Sequence, residues 1–262
     1  MMPQINFDNG KLHYESYSSG DKTLICFHGF GQTHTIFSNF EKKFPNHRII
    51  AIDLPYHGKS HCFSNKCLKS YKGIEAFKTL FEKEKIKDFE ALGFSIGAIP
   101  ALYIFEHFQE SCDKITLIAP EGIKKNFFFR LATTSKLGET IFKTVMHNPS
   151  IVTLPIKALR TVKMITNSTA KFVLQEVKDQ AHRNKVFNTW ICLSSLNPNL
   201  PYISKALETN VAKSMEIFLG EHDHIINPVA YEKSIRKKIP TAKINIIRGS
   251  HFNIVNSFLN QK

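Results

Sequence analysis

The order of apolar and polar positions along the chain predicts strands and helices in alternation. Two short opening segments, QINF and KLHYESY, are expected to pair as a hairpin. Apolar residues at helical spacing predict helices over 35–44, 70–86, 96–109 and 229–239. Six further segments run from a polar start through apolar residues to a Gly, Pro, Asp or His: TLICFHG, RIIAIDLP, FEALGFS, KITLIAPEG, MEIFLGEHD and KINIIRGSH.

This alternation is typical of βα units, which build a mostly parallel sheet flanked by helices, so the predicted fold class is α/β. Parallel strands end at the same edge of their sheet, and the loops that leave this edge commonly bind ligands. The polar residues that close the six segments are therefore expected to meet there. The sequence predicts its functional site at that edge.

One connection is too long for a single crossover helix. Residues 122–214 separate KITLIAPEG from MEIFLGEHD, whereas a crossover needs about a dozen residues or more. Within this range apolar residues recur at spacings of three and four, and prolines interrupt the pattern. We predict a mainly helical cap over 122–214, inserted after the sixth predicted strand into a core made of residues 1–121 and 215–262.

A serine lies in a glycine-rich turn between a predicted strand and a predicted helix. Gly93, Ser95 and Gly97 form a G-x-S-x-G motif that ends FEALGF and begins IGAIPALYIFEHF. A nucleophile elbow has this arrangement, because the serine adopts a strained backbone and larger side chains two residues away would collide. Ser95 is therefore the candidate nucleophile.

A serine hydroxyl needs a general base, and the base needs an acid that orients it. Of twelve histidines, His251 is favoured because it follows the last predicted strand, after a Gly and a Ser that permit a tight loop. Asp223 follows the preceding strand and is the favoured acid. Glu121, at the end of KITLIAPEG, is the alternative acid.

His222 and His224 flank Asp223 as an H-x-H pair, which is a pattern that can bind Zn²⁺. No third ligand stands at a recognisable spacing from them. We therefore interpret both as loop histidines and predict neither a metal site nor a cofactor.

The order Ser95, Asp223, His251 along the chain resembles that of the α/β-hydrolase superfamily. Residues 28–31, HGFG, resemble the family's H-G-x-G oxyanion motif. The resemblance implies the α/β-hydrolase fold with a cap, and it implies that the backbone N–H groups of Phe30 and Ile96 form the oxyanion hole.

A second segment, DLPYHGKS at 53–60, resembles the family's D-x-P-G-x-G-x-S segment. It departs from that pattern at Tyr56, where the family usually has Gly, and this side chain is expected to face the pocket. We interpret Asp53 and Ser60 as residues that hold a loop through local hydrogen bonds. His57 is not assigned a catalytic role.

The predicted function is hydrolysis of a carboxylic ester or thioester through an acyl-enzyme on Ser95. Two alternatives stay open. One is a carbon–carbon bond hydrolase or a lyase similar to the menaquinone-pathway synthase, which uses the same triad as a proton shuttle. The other is a ligand receptor on the same fold without catalysis. A serine at the nucleophile position disfavours dehalogenases and epoxide hydrolases, which use Asp.

The net charge of +13 lies mostly in the predicted cap. Residues 122–214 contain 14 of the 35 Lys and Arg but four of the 22 Asp and Glu. A basic cap could attract a small-molecule acyl substrate that carries an anionic group, rest on an anionic membrane surface, or solvate its own outer faces. No motif supports nucleic acid binding.

Five aromatic residues could line an acyl pocket but are expected mainly to form the cap core: Phe127, Phe128, Phe129, Phe142 and Trp190.

The 262-residue chain is 42% hydrophobic and 22% charged, which suits a globular protein and excludes disordered and collagen-like classes. No run approaches the roughly 18 apolar residues of a membrane span. The N-terminus lacks the features of a secretory signal, so a cytoplasmic location is expected. Five scattered cysteines without a C-x-x-C pair are interpreted as reduced thiols.

Overall fold

The computed structural model describes residues 3–69, 71–124, 133, 135–151, 153, 161, 174, 177 and 179–261. Within these residues the sheet has nine strands, eight of them in the order β1-β2-β4-β3-β6-β7-β8-β9, and β5 pairs with β2. The strands are β1 (Gln4–Phe7), β2 (Gly10–Tyr17), β3 (Lys22–Phe27), β4 (His47–Ile52), β5 (His61–Cys62), β6 (Phe89–Phe94), β7 (Cys112–Ile118), β8 (Ser214–Gly220) and β9 (Lys243–Ile247).

The sheet is parallel from β4 to β9, as the alternating pattern predicts, and antiparallel where β2 meets β1, β4 and β5. Strands β3, β6 and β7 each end in four buried residues. Continuous burial is expected for central parallel strands, because helices cover both faces. The two-residue strand β5 was not predicted, so residues 122–214 follow the seventh strand in chain order.

The described helices are α1 (Tyr71–Lys83), α2 (Ala98–His107), α3 (Lys136–His147), α4 (Gln180–Ser194), α5 (Leu200–Thr209), α6 (Pro228–Lys238) and α7 (Ile254–Leu259). The helix predicted over 35–44 is instead two 3-10 segments, His34–Phe37 and Phe40–Lys42. The buried rings of Phe37 and Phe40 pack edge-to-face, with 4.9 Å between their centroids. The two rings belong to different 3-10 segments, so their contact joins these segments.

Two clusters of buried apolar side chains differ greatly in size. The larger covers the sheet and the helices around it. The smaller lies between α3 and α4, and its buried members are Phe142, Met146, Val177, Val186, Phe187 and Ile191. Helix α5 lies inside the range predicted as cap, yet its Ile203 and Leu207 belong to the larger cluster. That helix contacts α2 and α6, so part of residues 122–214 packs on the core.

All five cysteines are free and buried. Of the helices that the structure describes, none combines the length and the apolar character needed to cross a membrane.

Candidate active site

The turn after β6 holds Ser95 in a conformation that an L-residue rarely adopts, with φ at +53°. A Cβ on Gly93 would lie 2.6 Å from Ala98 Cα, and one on Gly97 would lie 2.3 Å from Phe27 O. Both glycines are therefore required by close backbone contacts. The strand, strained turn and helix of a nucleophile elbow are present at Ser95, as the motif predicts.

Three side chains from separate strand ends form a hydrogen-bonded relay. Ser95 Oγ lies 2.9 Å from His251 Nε2, and His251 Nδ1 lies 2.7 Å from Asp223 Oδ2. The Asp223 side chain is fully buried, whereas the His251 side chain is 11% exposed. A buried acid beside a histidine that reaches the nucleophile can orient the ring and stabilise its protonated form.

Asp223 is held by the loop that it begins. Its Oδ1 accepts hydrogen bonds from the backbone N–H groups of Ile225 and Ile226, each at 2.8 Å, which leaves Oδ2 for His251. Glu121, the alternative acid, accepts a hydrogen bond from Tyr231 through Oε2 at 3.3 Å. The structure thus brings Asp223, and not Glu121, to the candidate base.

The loop after β3 lies directly against the elbow. A Cβ on Gly29 would lie 2.8 Å from the Phe94 ring, next to Ser95. Within this loop, Gly29 N–H donates to Gln32 Oε1 at 3.1 Å, and Gly31 N–H donates to His57 Nε2 at 3.0 Å. The N–H groups of Gly29 and Gly31, on either side of Phe30, are thus both hydrogen-bonded. These two bonds fix the orientation of the Phe30 backbone between them. Ile96 directly follows Ser95 and is buried in the elbow.

Two buried histidines hold this loop. His57 Nδ1–H donates to Pro55 O at 2.9 Å, and its Nε2 accepts from Gly31. His28 Nδ1–H donates to Gly29 O at 2.7 Å, and its Nε2 accepts from Leu54 at 2.9 Å. Burial lowers the pKa of His28 to about 3 and that of His57 to about 4, so both rings are neutral at pH 7. The contact of His57 with this loop was not predicted from the sequence.

The segment from Asp53 to Ser60 is a hydrogen-bonded loop, as interpreted from the sequence. Asp53 accepts from the backbone of His34 at 2.8 Å and of Lys59 at 3.0 Å, and Ser60 Oγ donates to Asp53 O at 2.6 Å. Tyr56 has a φ of +65°, a region that favours glycine. This explains why a related pattern carries Gly at that position.

Helix α4 brings basic side chains over the same loop. Lys185 Nζ lies 5.9 Å from the centroid of the Phe30 ring, and the His182 ring packs edge-to-face on Phe30 at 5.6 Å. Lys185 is half-buried, and burial lowers its pKa, which the Asp53 carboxylate partly offsets. The Phe30 side chain also packs against the small cluster between α3 and α4. The range predicted as cap therefore contacts the loop beside Ser95.

The aromatic residues of that range fall into two groups. Phe142 packs on Phe187 and Trp190, at 5.4 Å between ring centroids in each case, as expected for a cap core. Phe127, Phe128 and Phe129 lie outside the described residues.

Comparisons with known proteins agree with this architecture. A family model for the alpha/beta hydrolase fold matches residues 22–140. The probable lysophospholipase BODYGUARD 3 of Arabidopsis thaliana is 25% identical over 256 residues, covering 86% of this chain and 50% of that protein. An Escherichia coli 2-hydroxy-6-oxononadienedioate/2-hydroxy-6-oxononatrienedioate hydrolase is 25% identical over 146 residues, covering 48% of this chain and 51% of that protein. The chain spans about half the length of these curated relatives.

Among solved structures, a thermophilic esterase from Thermogutta terrifontis superposes with a TM-score of 0.65 at 15% identity, covering 97% of this chain and 93% of that one. At this identity the likeness establishes the fold.

Proposed function

Because the chain is a member of the α/β-hydrolase superfamily, we propose that it is a serine hydrolase that cleaves a carboxylic ester or thioester through an acyl-enzyme on Ser95. The observation that carries this proposal is the relay from Ser95 Oγ through His251 to the buried Asp223. Such a relay makes a serine hydroxyl nucleophilic at neutral pH.

In the first step, Ser95 Oγ attacks the acyl carbon while His251 Nε2 takes the hydroxyl proton. Asp223 keeps the ring oriented and stabilises its positive charge. The N–H groups of Phe30 and Ile96 donate to the oxyanion of the tetrahedral intermediate. His251 then returns the proton to the leaving alcohol or thiol, and a water molecule, activated by the same base, hydrolyses the acyl-enzyme.

We further propose that the substrate carries an anionic group. Lys185 stands half-buried beside Phe30. Among the residues that the structure describes, no carboxylate forms a salt bridge with it, although Asp53 acts on it at longer range. A cation that has lost part of its hydration gains most from an anionic partner. A carboxylate or phosphate on the substrate, near the acyl group, would supply one.

A second candidate function keeps the same triad but breaks a carbon–carbon bond. It is favoured by the likeness to the E. coli hydrolase, whose named substrates are dioates and thus carry two carboxylates. In that reaction the relay would move protons to and from the substrate.

The test is labelling with a fluorophosphonate probe, combined with turnover of acyl esters and acyl thioesters. We expect the parent to be labelled at Ser95 and to turn over at least one ester or thioester, and the Ser95→Ala variant to do neither. Labelling without turnover of any ester or thioester would favour the carbon–carbon bond reaction. Small-molecule binding that survives Ser95→Ala, without turnover by the parent, would identify a receptor instead.

A further inference from the structure

A cluster of potential metal ligands lies on one face of β2, apart from the Ser95 relay. His13 and Glu15 are two residues apart on this strand, so their side chains share a face. His34 begins the 3-10 segment that follows the loop of residues 28–33. One nitrogen of each histidine and one carboxylate oxygen of Glu15 lie within 4.8 Å of one another.

The spacing of these atoms is close to that of ligands around one ion. His13 Nε2 lies 3.1 Å from Glu15 Oε1. In a tetrahedral site with zinc–ligand distances near 2.1 Å, neighbouring ligand atoms are about 3.4 Å apart. Small rotations of the Glu15 and His34 side chains, both half-buried, would complete such a site.

The nitrogen of His13 also lacks a well-directed partner. His13 is 2% exposed, and within the described part of the chain its Nε2 makes no hydrogen bond of acceptable geometry, although Glu15 is near. Buried polar atoms normally have a partner, so an atom placed like this one calls for an explanation. An ion between His13 and Glu15 would bind both.

Neighbouring groups already position the backbone of both histidines and one ring nitrogen of His34. Tyr17, on the same face of β2, has its hydroxyl 2.6 Å from His34 Nδ1, and Asp53 accepts the His34 backbone N–H at 2.8 Å. The His13 backbone N–H donates to Ser60 Oγ at 2.9 Å. A hydrogen bond at the ring nitrogen that does not bind the ion is the usual support of a metal-binding histidine, and Tyr17 is placed to provide it for His34.

From this geometry we propose that His13, Glu15 and His34 bind one divalent transition-metal ion. Two imidazoles and a carboxylate are ligands that Zn²⁺ accepts, with a water molecule in the fourth position. Lys59 Nζ lies 3.7 Å from Glu15 Oε1 and would compete with the ion, but its side chain is 60% exposed and can turn into solvent. The ion would connect β2 to the segment that follows the loop beside Ser95.

The test uses Zn²⁺ itself, in competition with a chromophoric chelator, and the full chain after treatment with EDTA. We expect one Zn²⁺ per chain, with affinity at least tenfold weaker in Glu15→Gln and in His34→Gln. A rise in Tm with added Zn²⁺ should likewise disappear in both variants. Far-UV circular dichroism without metal checks that each variant folds. Glu15→Gln is the milder change of the two, because glutamine has nearly the same size and shape as glutamate.

The matched control is His222→Asn combined with His224→Asn, which removes the H-x-H pair from the exposed loop around Asp223. It should leave Zn²⁺ affinity unchanged. The proposal is overturned if the parent shows no saturable binding, if the Glu15 and His34 variants bind as tightly as the parent, or if the His222 and His224 change alone removes binding. Co²⁺ in place of Zn²⁺ gives a second readout, because its visible absorption reports ligand number and geometry.

Discussion

The sheet core and the segment between β7 and β8 differ in both charge and packing. Residues 122–214, which make up nearly all of that segment, carry 14 of the 35 basic residues and four of the 22 acidic ones, so most of the net charge of +13 lies there. Among the described residues, the core contains the large apolar cluster, whereas α3, α4 and Val177 share a small one with six buried members. The candidate reacting groups lie in the core, beside the large cluster. The basic groups that approach them, His182 and Lys185, lie on α4, beside the small cluster.

The largest effect is expected from the acid of the relay, within the core. Asp223→Asn should lower kcat by about 10⁴-fold, because the amide favours the wrong tautomer of His251. Glu121→Gln is the matched control, since Glu121 contacts Tyr231 instead, and it should change kcat less than threefold. Steady-state kinetics on any ester that the parent hydrolyses would measure both. Equal losses in the two variants would contradict the assignment of Asp223.

The two apolar clusters can be compared directly. Phe105 is fully buried on α2, so Phe105→Ala should lower the free energy of unfolding by about 3–5 kcal/mol. Phe142→Ala should mainly loosen α3 from α4. The single tryptophan, Trp190, packs on Phe142 and reports on that region by fluorescence, while far-UV circular dichroism reports on the whole fold.

In urea titrations, Phe105→Ala should shift both signals, whereas Phe142→Ala should shift the fluorescence transition to lower urea more than the dichroism transition. Coincident shifts of the two signals in Phe142→Ala would mean that both clusters unfold as one unit. The comparison between the two regions would then hold for charge alone.

The sequence predicted the core well because local rules determine it. The spacing of Gly93 and Gly97 indicates the turn at Ser95. Polar residues at the ends of parallel strands lie at one edge of the sheet in any fold of this class. The contact between His57 and Gly31 was not predictable, because it depends on how two loops 26 residues apart pack together. Nor could the sequence separate α5 from the cap, since an apolar helix face looks the same whether it packs on α2 or on α3. Lys185 is one of 14 basic residues in its range, and only its position distinguishes it.

The pH dependence of stability should come in part from the buried histidines of the core. The unfolded chain binds protons at His28 and His57 near pH 6.5, whereas in the folded chain their pKa values are about 3 and about 4. Their contribution to stability is therefore complete above pH 6.5 and is lost as the pH falls toward about 4 for His57 and toward about 3 for His28. The loss is at most about 1.4 kcal/mol per pH unit for each histidine.

Urea titrations between pH 6.5 and pH 5 would measure this slope. His57→Asn should reduce it by up to half, while His61→Asn, at an exposed position on β5, should leave it unchanged. A slope unaffected by His57→Asn would show that this ring takes up a proton in the folded chain as readily as in the unfolded one.

The smallest predicted effect concerns the basic side chains between β7 and β8. It distinguishes a role in substrate binding from simple solvation of the protein surface. Lys185→Gln should raise KM about tenfold for an ester that carries a carboxylate or phosphate and leave KM for a neutral ester unchanged, because Lys185 lies half-buried beside Phe30. Lys143→Gln removes the same charge from an exposed position on α3 and should change neither value.

Added salt screens exposed charges more than buried ones, so the advantage of the anionic ester should persist at high ionic strength if Lys185 provides it. If both variants weaken the anionic ester equally and salt abolishes its advantage, the charge acts as a diffuse field, and Lys185 has no special part in recognition.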